Sequence, residues 1–221
     1  SHGVLRVPRY VEMLEQGIIV SRDGPTLVSE TGAVAVLDGG KCPGAVGMNA
    51  AVAKAAVLAR SHGLGWCAAR NISHCGALGH FTDTLARDGL IGIAMSASKP
   101  LMSYFGAKGE ALSTNPLSIA VPSRAGVPMI LDMSTAAVAL GKIMAARDQG
   151  ASIPEGWGID ENGKPTTDPN KVKALMPMAG PKGSGLSLMI EVLASVLAGN
   201  PLIGPALTQT GNGGFNGLVI A

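Results

Sequence analysis

One histidine of this chain lies where an apolar segment ends and a helix-like segment begins. The apolar segment covers residues 63–69, and His74 follows in the polar stretch 70–81, flanked by residues too small to bury it. In α/β proteins the turn between a strand and a helix commonly carries the chemistry. An imidazole titrates near neutral pH and can take up or release a proton there. We therefore predict His74 as a catalytic acid or base, with a structural histidine as the alternative.

Two cationic positions suit an anionic ligand. Arg6 and Tyr10 are four residues apart, so a helix over residues 1–17 would place them on one face. A guanidinium binds a carboxylate through two parallel hydrogen bonds, which makes Arg6 a candidate carboxylate clamp; a solvated surface arginine is the alternative. Lys182 stands among glycines just before a predicted helix, and helix N-termini bind anions. A flexible loop with a solvated lysine is the alternative at Lys182.

Polar turns that border the predicted strands supply further hydrogen-bonding groups. They contain Ser98, Thr114, Asn115, Pro116, Asp132, Met133 and Ser134. Asp132 and Ser134 directly precede a helix predicted over residues 136–147, so a helix cap explains either residue as well as ligand binding does.

The composition restricts the class of protein. The chain has 221 residues, of which 47% are hydrophobic but only 3% aromatic, so we expect a core of small aliphatic side chains. A net charge of +2 without a lysine or arginine block disfavours nucleic-acid binding, and no apolar run is long enough to predict a membrane span. The three cysteines form no Cys-x-x-Cys pair, so we expect neither a disulfide framework nor a metal site. A reducing, cytoplasmic setting is the default expectation.

The order of the elements predicts an α/β fold. A strand over 64–69, a helix over 78–87 and a second strand over 90–96 form a strand–helix–strand unit, for which we expect parallel pairing. We also read Asp38-Gly39-Gly40 as a turn. Neither a P-loop nor a Gly-x-Gly-x-x-Gly sequence after an early strand is present, so the usual Rossmann fingerprint is absent.

Seven short motifs occur in an order that resembles one family. They are Ser1-His2-Gly3 with Arg6 and Tyr10, then residues 71–77, 113–116, 131–135, 153–157, 166–169 and 180–183. The chain resembles the malate/L-lactate dehydrogenase family of the second type, which includes ureidoglycolate, sulfolactate and diketogulonate dehydrogenases. The resemblance extends over nearly the whole chain, and the combined motifs are specific although each alone is weak.

The resemblance implies a fold, an activity and an assembly. It implies a mixed sheet with flanking helices, in a non-Rossmann nucleotide-binding domain of the L-sulfolactate dehydrogenase type. The expected activity is hydride transfer between NAD or NADP and a small 2-hydroxy or 2-oxo acid, in a homodimer. We expect residues 1–62 to belong to a substrate and dimerisation domain, 63–200 to the NAD(P)-binding domain and 201–221 to a truncated C-terminal segment. A non-redox nucleotide- or phosphate-binding protein and an inactive dimerising fragment are the alternatives.

The resemblance also implies roles for individual residues. His74 and His2 match the positions proposed for proton transfer, of which we favour His74, while Arg6 and Tyr10 match the substrate side. The expected cofactor contacts are Ser98, Thr114, Asn115, Pro116, Asp132, Met133, Ser134, Lys182 and Gly183. The identity of the 2-hydroxy acid and the choice between NAD and NADP stay open.

Overall fold

A seven-stranded mixed sheet organises the computed structural model, which describes residues 3–21, 24–199 and 215–221. The strands are β1 (Thr26–Thr31), β2 (Val34–Cys42), β3 (Trp66–Ile72), β4 (Gly92–Ala97), β5 (Leu117–Val121), β6 (Met129–Met133) and β9 (Phe215–Ile220), with β7 (Gly158–Ile159) and β8 (Ala174–Leu175) forming a separate ribbon. The α-helices of the described part are α1 (Val7–Glu15), α2 (Gly44–His62), α3 (Gly79–Arg87), α4 (Leu140–Asp148) and α5 (Pro181–Ala194). The predicted α/β class, with a mixed sheet and flanking helices, is confirmed.

The strand order of the main sheet is β1-β2-β3-β9-β4-β5-β6. Strands β2 and β3 are parallel, whereas β9 lies between β3 and β4 and is antiparallel to both. The predicted parallel pairing of β3 with β4 is therefore wrong, although both strands run in the same direction. The physical reason is that β3 and β4 each form backbone hydrogen bonds with β9, which comes from the far end of the chain. The local spacing of β3 and β4 cannot reveal this insertion.

Helices cover both faces of the sheet. Helices α2 and α3 contact one face, and α5 contacts β4 and β9 on the other. The core consists mainly of alanine, valine, leucine, isoleucine and methionine, as the composition predicted. Small residues allow α2 to lie very close to the sheet: a Cβ atom on Gly65 would collide with the carbonyl oxygen of Ala55. The short distance between α2 and the sheet thus depends on small side chains on both the helix and the strand.

Residues 136–175, together with Met102 and Leu112, form a second, smaller packing unit. Its core contains Ile143, Leu175 and Met102. The helix predicted over 136–147 begins only at Leu140, because Ala136 bridges to Pro177 and the amide of residue 137 donates to the carbonyl of residue 176 at 2.8 Å. The start of that helix was therefore predicted too early.

The first helix also differs from its prediction. A 3₁₀ turn over Val4–Arg6 precedes α1, which ends at Glu15. Ser1, the first residue of the helix predicted over 1–17, lies outside the described residues. Within the described part of the chain, no helix has the length and apolar character that crossing a bilayer requires.

We predict that two adjacent residues of α2 differ sharply in their contribution to stability. Leu58 is 2% exposed beneath the sheet, whereas Val57 is 58% exposed on the opposite side of the helix. Leu58→Ala should lower the free energy of unfolding by about 2–5 kcal/mol, because it removes buried methyl groups and leaves a cavity. Val57→Ala should change it by less than about 0.5 kcal/mol. Urea unfolding measures the free energy of unfolding of both variants. Equal losses in the two variants would contradict this packing of α2.

Candidate active site

The loop that carries His74 is fixed by the first turn of α2. The backbone amide of Ser73 donates to the Cys42 carbonyl at 3.1 Å, and the amide of Gly44 donates to the Ser73 hydroxyl at 2.9 Å. A Cβ atom on Gly44 would collide with the carbonyl oxygens of Ser73 and His74. The start of α2 and the His74 loop are therefore in direct backbone contact, which defines where the imidazole stands.

The imidazole of His74 is held by three groups from different parts of the chain. The Tyr10 hydroxyl lies 2.8 Å from Nδ1 of His74, and the Gly76 amide donates to the same nitrogen at 3.3 Å. The Phe215 ring meets the imidazole edge to face, with ring centroids 5.7 Å apart. Because a backbone N–H can only donate, Nδ1 accepts in this arrangement, and the neutral imidazole carries its proton on Nε2.

Arg6, Tyr10 and His74 share one cleft of about 490 Å³, a size typical of small-molecule sites. The structure thus brings these three residues together in one cleft. Other described residues that line the cleft are Arg9, Met13, Gln16, Gly17, Ile18, Lys41, Asn71, Ile72, Ser73, Ser98, Lys99, Leu101 and Phe215. The second predicted acid–base residue, His2, lies outside the described residues.

Burial acts on the Tyr10 hydroxyl. It raises the pKa of Tyr10 above its ordinary value, although the nearby Arg6 guanidinium acts in the opposite direction. Tyr10 therefore keeps its proton at neutral pH and is able to donate a hydrogen bond to His74.

A salt-bridged network that sequence reasoning missed supports the end of β3 beside His74. Asp38 accepts hydrogen bonds from Arg70 at 3.0 Å, from the side chain of Asn71 at 3.1 Å and from the Gly40 amide at 2.9 Å. Asn71 adopts a left-handed backbone conformation with φ of 54°, and its amide donates to the Asn216 side chain at 3.1 Å. The predicted turn at residues 38–40 is instead the irregular end of β2, whose register with β3 shifts after Asp38.

Two opposing effects act on the Asp38 carboxyl. Burial alone would raise its pKa, but the hydrogen bonds from Gly40, Asn71 and Arg70 together outweigh burial and lower it. The anionic form is therefore stabilised in the folded protein. Arg70 and Asn71 were adjacent to the predicted site, but nothing in the sequence identified Asp38 as their partner.

The turns predicted for the cofactor side are bonded to one another. The hydroxyls of Ser98 and Ser113 lie 2.6 Å apart, and Thr135 donates to the carbonyl of Thr114 at 3.0 Å. The side chain of Asn115 donates to the carbonyl of Ser187 in α5 at 2.9 Å. Of the residues predicted on the cofactor side, Ser98 lines the His74 cleft in the described structure.

The predicted cofactor residues differ in accessibility. Asn115 is 0% exposed, and its side chain holds the turn against α5 through the hydrogen bond to Ser187. Thr114 and Pro116 beside it are partly exposed. Asp132 is exposed and accepts a hydrogen bond from the Gly79 amide at 2.8 Å, so it caps α3 instead of the helix that follows it. Met133 and Ser134 are half-buried.

The start of α5 combines an exposed cation with a required glycine. Lys182 is exposed, and a Cβ atom on Gly183 would collide with the Met178 carbonyl. Gly180 occupies the N-cap position of this helix and provides no side-chain hydrogen bond. Such a terminus is suited to an anionic group, although Lys182 and Gly183 do not line the His74 cleft in the described structure.

No group of three or more metal-binding side chains occurs in the part of the chain that the structure describes. The three cysteines are free and buried. Burial raises the pKa of Cys75, beside His74 in sequence, to about 12, so this thiol is not a nucleophile at neutral pH.

The fold and the cleft together define an α/β protein with a mixed sheet, in which a hydrogen-bonded tyrosine–histidine pair lies in a cleft that an arginine also lines. The chain belongs to the malate/L-lactate dehydrogenase family, whose sequence profile matches residues 1–218. The predicted family is therefore confirmed.

Several known proteins are similar to this chain. A ureidoglycolate dehydrogenase (NAD(+)) of Escherichia coli O157:H7 is 40% identical over 202 residues, which are 91% of this chain and 58% of the relative. An L-sulfolactate dehydrogenase of Methanocaldococcus jannaschii is 38% identical over 214 residues, which are 96% of this chain and 61% of the relative. The solved sulfolactate dehydrogenase from that organism has a TM-score of 0.86 at 35% identity, and covers 99% of this chain and 64% of that one. The chain thus spans about three fifths of these relatives, and its fold is of the predicted sulfolactate dehydrogenase type.

We predict that the stabilisation from Asp38 depends on pH. Asp38→Asn should lower the free energy of unfolding at pH 7 by about 1–2 kcal/mol, because it removes a partly buried, charge-assisted hydrogen-bond acceptor. The folded-state pKa is lowered, so the stabilisation is complete above the unfolded value of about 3.9 and is lost as pH falls through the folded value. The difference in free energy of unfolding between Asp38→Asn and the parent protein should therefore disappear at acidic pH.

Urea unfolding at several pH values measures that gap. The control is Asp88→Asn, because Asp88 forms an exposed ion pair with Arg60 that should contribute less than about 1 kcal/mol. A gap that stays constant down to acidic pH would contradict the electrostatic origin of the effect.

Proposed function

We propose that this protein is an oxidoreductase that transfers a hydride between NAD or NADP and a small 2-hydroxy or 2-oxo acid. The observation that carries the proposal is the hydrogen bond between Tyr10 and His74 in a cleft that Arg6 also lines. This combination provides one group that moves a proton and one that binds a carboxylate. Family membership supports the proposal, since relatives act on ureidoglycolate and sulfolactate according to their names.

The tyrosine and histidine act as one acid–base unit. Nδ1 of His74 is the accepting nitrogen, and the protonated Tyr10 hydroxyl donates to it. When a substrate hydroxyl is oxidised, its proton passes to the Tyr10 oxygen as the Tyr10 proton moves to Nδ1. Reduction of a 2-oxo acid reverses both transfers. General acid–base help of this kind contributes about 10²–10⁴-fold to the rate.

Arg6 binds the carboxylate that is adjacent to the reacting carbon. Its guanidinium forms parallel hydrogen bonds that fix both position and orientation of a planar carboxylate. Arg6 and Tyr10 stand one helical turn apart, with Tyr10 in α1 and Arg6 in the 3₁₀ turn before it. One local segment therefore holds the substrate carboxylate and delivers it to His74, which limits the orientations that the reacting carbon explores.

We propose that a dinucleotide binds beside this cleft. Lys182 and the start of α5 suit a phosphate, and Ser98 and Thr114 belong to turns that are held by hydrogen bonds to Ser113 and Thr135. The bound nicotinamide supplies the two-electron acceptor or donor of such a reaction. We propose that the other residues expected on the cofactor side support these turns; they are Asn115, Pro116, Asp132, Met133, Ser134 and Gly183.

The assembly and the domain roles are part of the same proposal. We propose a cytoplasmic homodimer in which residues 1–62 serve the substrate and dimer side and residues 63–200 bind NAD(P). Strand β2 pairs with β3, so these two parts share one sheet.

We predict that removing either member of the acid–base unit lowers turnover. His74→Gln should reduce kcat about 10²–10⁴-fold, and Tyr10→Phe should cause a loss of similar order because the relay loses its hydroxyl. Nicotinamide absorbance with a panel of 2-oxo acids measures kcat, and calorimetry checks that cofactor affinity is unchanged. His62→Gln, at the exposed end of α2, is the matched control.

Three outcomes separate the possible mechanisms. Full turnover in Tyr10→Phe with loss in His74→Gln would show that the substrate meets the imidazole directly. A large loss in His2→Gln, with less than a tenfold loss in His74→Gln, would move the acid–base role to His2. Absence of any cofactor oxidation with all 2-oxo acids, together with intact binding of NAD(P), would favour a non-redox binding protein.

We predict a different kinetic signature for Arg6. Arg6→Gln should raise KM for 2-oxo acids at least about tenfold with a smaller change in kcat, because it removes binding of a carboxylate that persists throughout the reaction. Arg9→Gln is the control, since Arg9 is a neighbouring cation paired with Glu12 at 2.6 Å. If Arg6→Gln and Arg9→Gln raise KM equally, the carboxylate is attracted by the overall positive charge of the cleft and is not bound by Arg6 specifically.

A further inference from the structure

Helix α5 buries a polar stripe along one face. Ser184, Ser187 and Glu191 lie in the helix and Ser195 directly follows it, and each of the four is 0% exposed. A helix that packs on a sheet usually buries apolar side chains, because burial of a polar group is unfavourable unless it forms a hydrogen bond. The partners of this stripe therefore indicate what it holds in place.

Two of these side chains hold the same turn, residues 113–116. The Ser187 hydroxyl donates to the Ser113 carbonyl at 3.3 Å, and the Glu191 carboxyl group accepts from the side chain of Asn115 at 2.8 Å. Both hydrogen bonds are buried. Helix α5 thus restrains this turn through its backbone and through one of its side chains.

The amide nitrogen of Asn115 points toward α5. It lies 2.9 Å from the Ser187 carbonyl oxygen, which can only accept, and 2.8 Å from a carboxyl oxygen of Glu191. The other end of this amide, Oδ1, has no hydrogen-bond partner among the residues that the structure describes. Because Asn115 is 0% exposed, it is inaccessible to a ligand in this arrangement and acts on one through the turn that carries it.

The turn links the His74 cleft to the residues expected on the cofactor side. The Ser113 hydroxyl lies 2.6 Å from that of Ser98, which lines the cleft. The Thr114 carbonyl accepts from the amide of Thr135 at 2.9 Å and from its hydroxyl at 3.0 Å. A displacement of the turn would therefore be transmitted to both sides of the site.

We infer that Glu191 is a positioning residue for the nicotinamide cofactor, because it fixes the 113–116 turn through Asn115. An apolar side chain of similar size would fill the same space, but only an acceptor orients the Asn115 amide. Lys182 stands in the same helix, about 13 Å along its axis. One rigid element thus carries the proposed phosphate contact and the support of the turn. This inference rests on the proposed function, since it requires a cofactor on this side.

The first test uses the protein without ligand. Glu191→Leu removes the acceptor and keeps a side chain of similar size. Because the Thr135 amide donates to the Thr114 carbonyl, its hydrogen exchange reports on the turn and should become about tenfold faster. Ile190→Ala is the control: Ile190 is the adjacent residue of α5, is 1% exposed and has no hydrogen-bonding group in its side chain. It should lower the melting temperature without a selective change at Thr135.

The second test is calorimetric titration with NADH and NADPH. For whichever cofactor the parent protein binds, Glu191→Leu should weaken the affinity at least about tenfold, because the turn is no longer held in the binding geometry. Ile190→Ala should stay within about twofold of the parent. Glu191→Gln, which keeps an acceptor oxygen at the same distance along the side chain, should stay within about threefold.

A double-variant comparison tests whether Glu191 acts through Asn115. Asn115→Ala alone and the double variant Asn115→Ala/Glu191→Leu should lose the same cofactor affinity, because the second change removes a contact that is already absent. Losses that add would refute this route. Asn115→Ala also tests the inference if Glu191→Leu does not fold, since it removes the same hydrogen bond from the other partner.

Two outcomes would overturn the inference. Cofactor affinity retained within about twofold in Glu191→Leu refutes the positioning role, whatever the exchange at Thr135. Equal losses of affinity in Glu191→Leu and Ile190→Ala would reduce Glu191 to a packing residue.

The proposed function fails in a distinguishable way. A parent protein that binds neither NADH nor NADPH refutes the cofactor and with it the redox function. A selective rise in exchange at Thr135 in Glu191→Leu would still show that Glu191 holds the turn.

Discussion

The close backbone contact between Gly44 and the carbonyl groups of Ser73 and His74 is the constraint on which the site depends. No side chain fits between the start of α2 and this loop, so the loop has one position relative to the sheet. The Ser73 hydroxyl then accepts from the Gly44 amide, which satisfies a backbone donor that a helix start would otherwise leave open. His74 thus obtains a fixed location because its own carbonyl group packs against the start of α2.

The second half of the site comes from an element with few buried contacts. Helix α1 buries Met13, whereas Val7, Val11 and Leu14 are exposed. Its connections to the rest of the described protein include the Tyr10–His74 hydrogen bond and the contact of Val20 with the Lys41 carbonyl. The Tyr10–His74 pair therefore joins a rigid loop on the sheet to a weakly packed helix. Its hydrogen bond positions α1 and, in the proposed mechanism, also carries the proton.

Local sequence patterns predicted the parts of the site that lie close together in the chain. The spacing of Arg6 and Tyr10 and the small residues around His74 are local signals, and the three residues do line one cleft. The helix predicted over 78–87 was also found almost at its predicted bounds, Gly79–Arg87. By contrast, Asp38 meets Arg70 across 32 residues, and β9 enters the sheet from the far end of the chain. Such pairings depend on tertiary packing, which no window of the sequence contains.

Burial and charge act in opposite directions on the Tyr10 hydroxyl. Burial raises the pKa of this group, which keeps it a donor toward His74, while the nearby Arg6 guanidinium lowers that pKa. In the proposed mechanism a bound carboxylate neutralises Arg6 and so removes the opposing effect. The proposal therefore couples carboxylate binding to the protonation of Tyr10: an anion beside Arg6 raises the pKa of Tyr10 further, and the hydroxyl keeps the proton that it passes to His74.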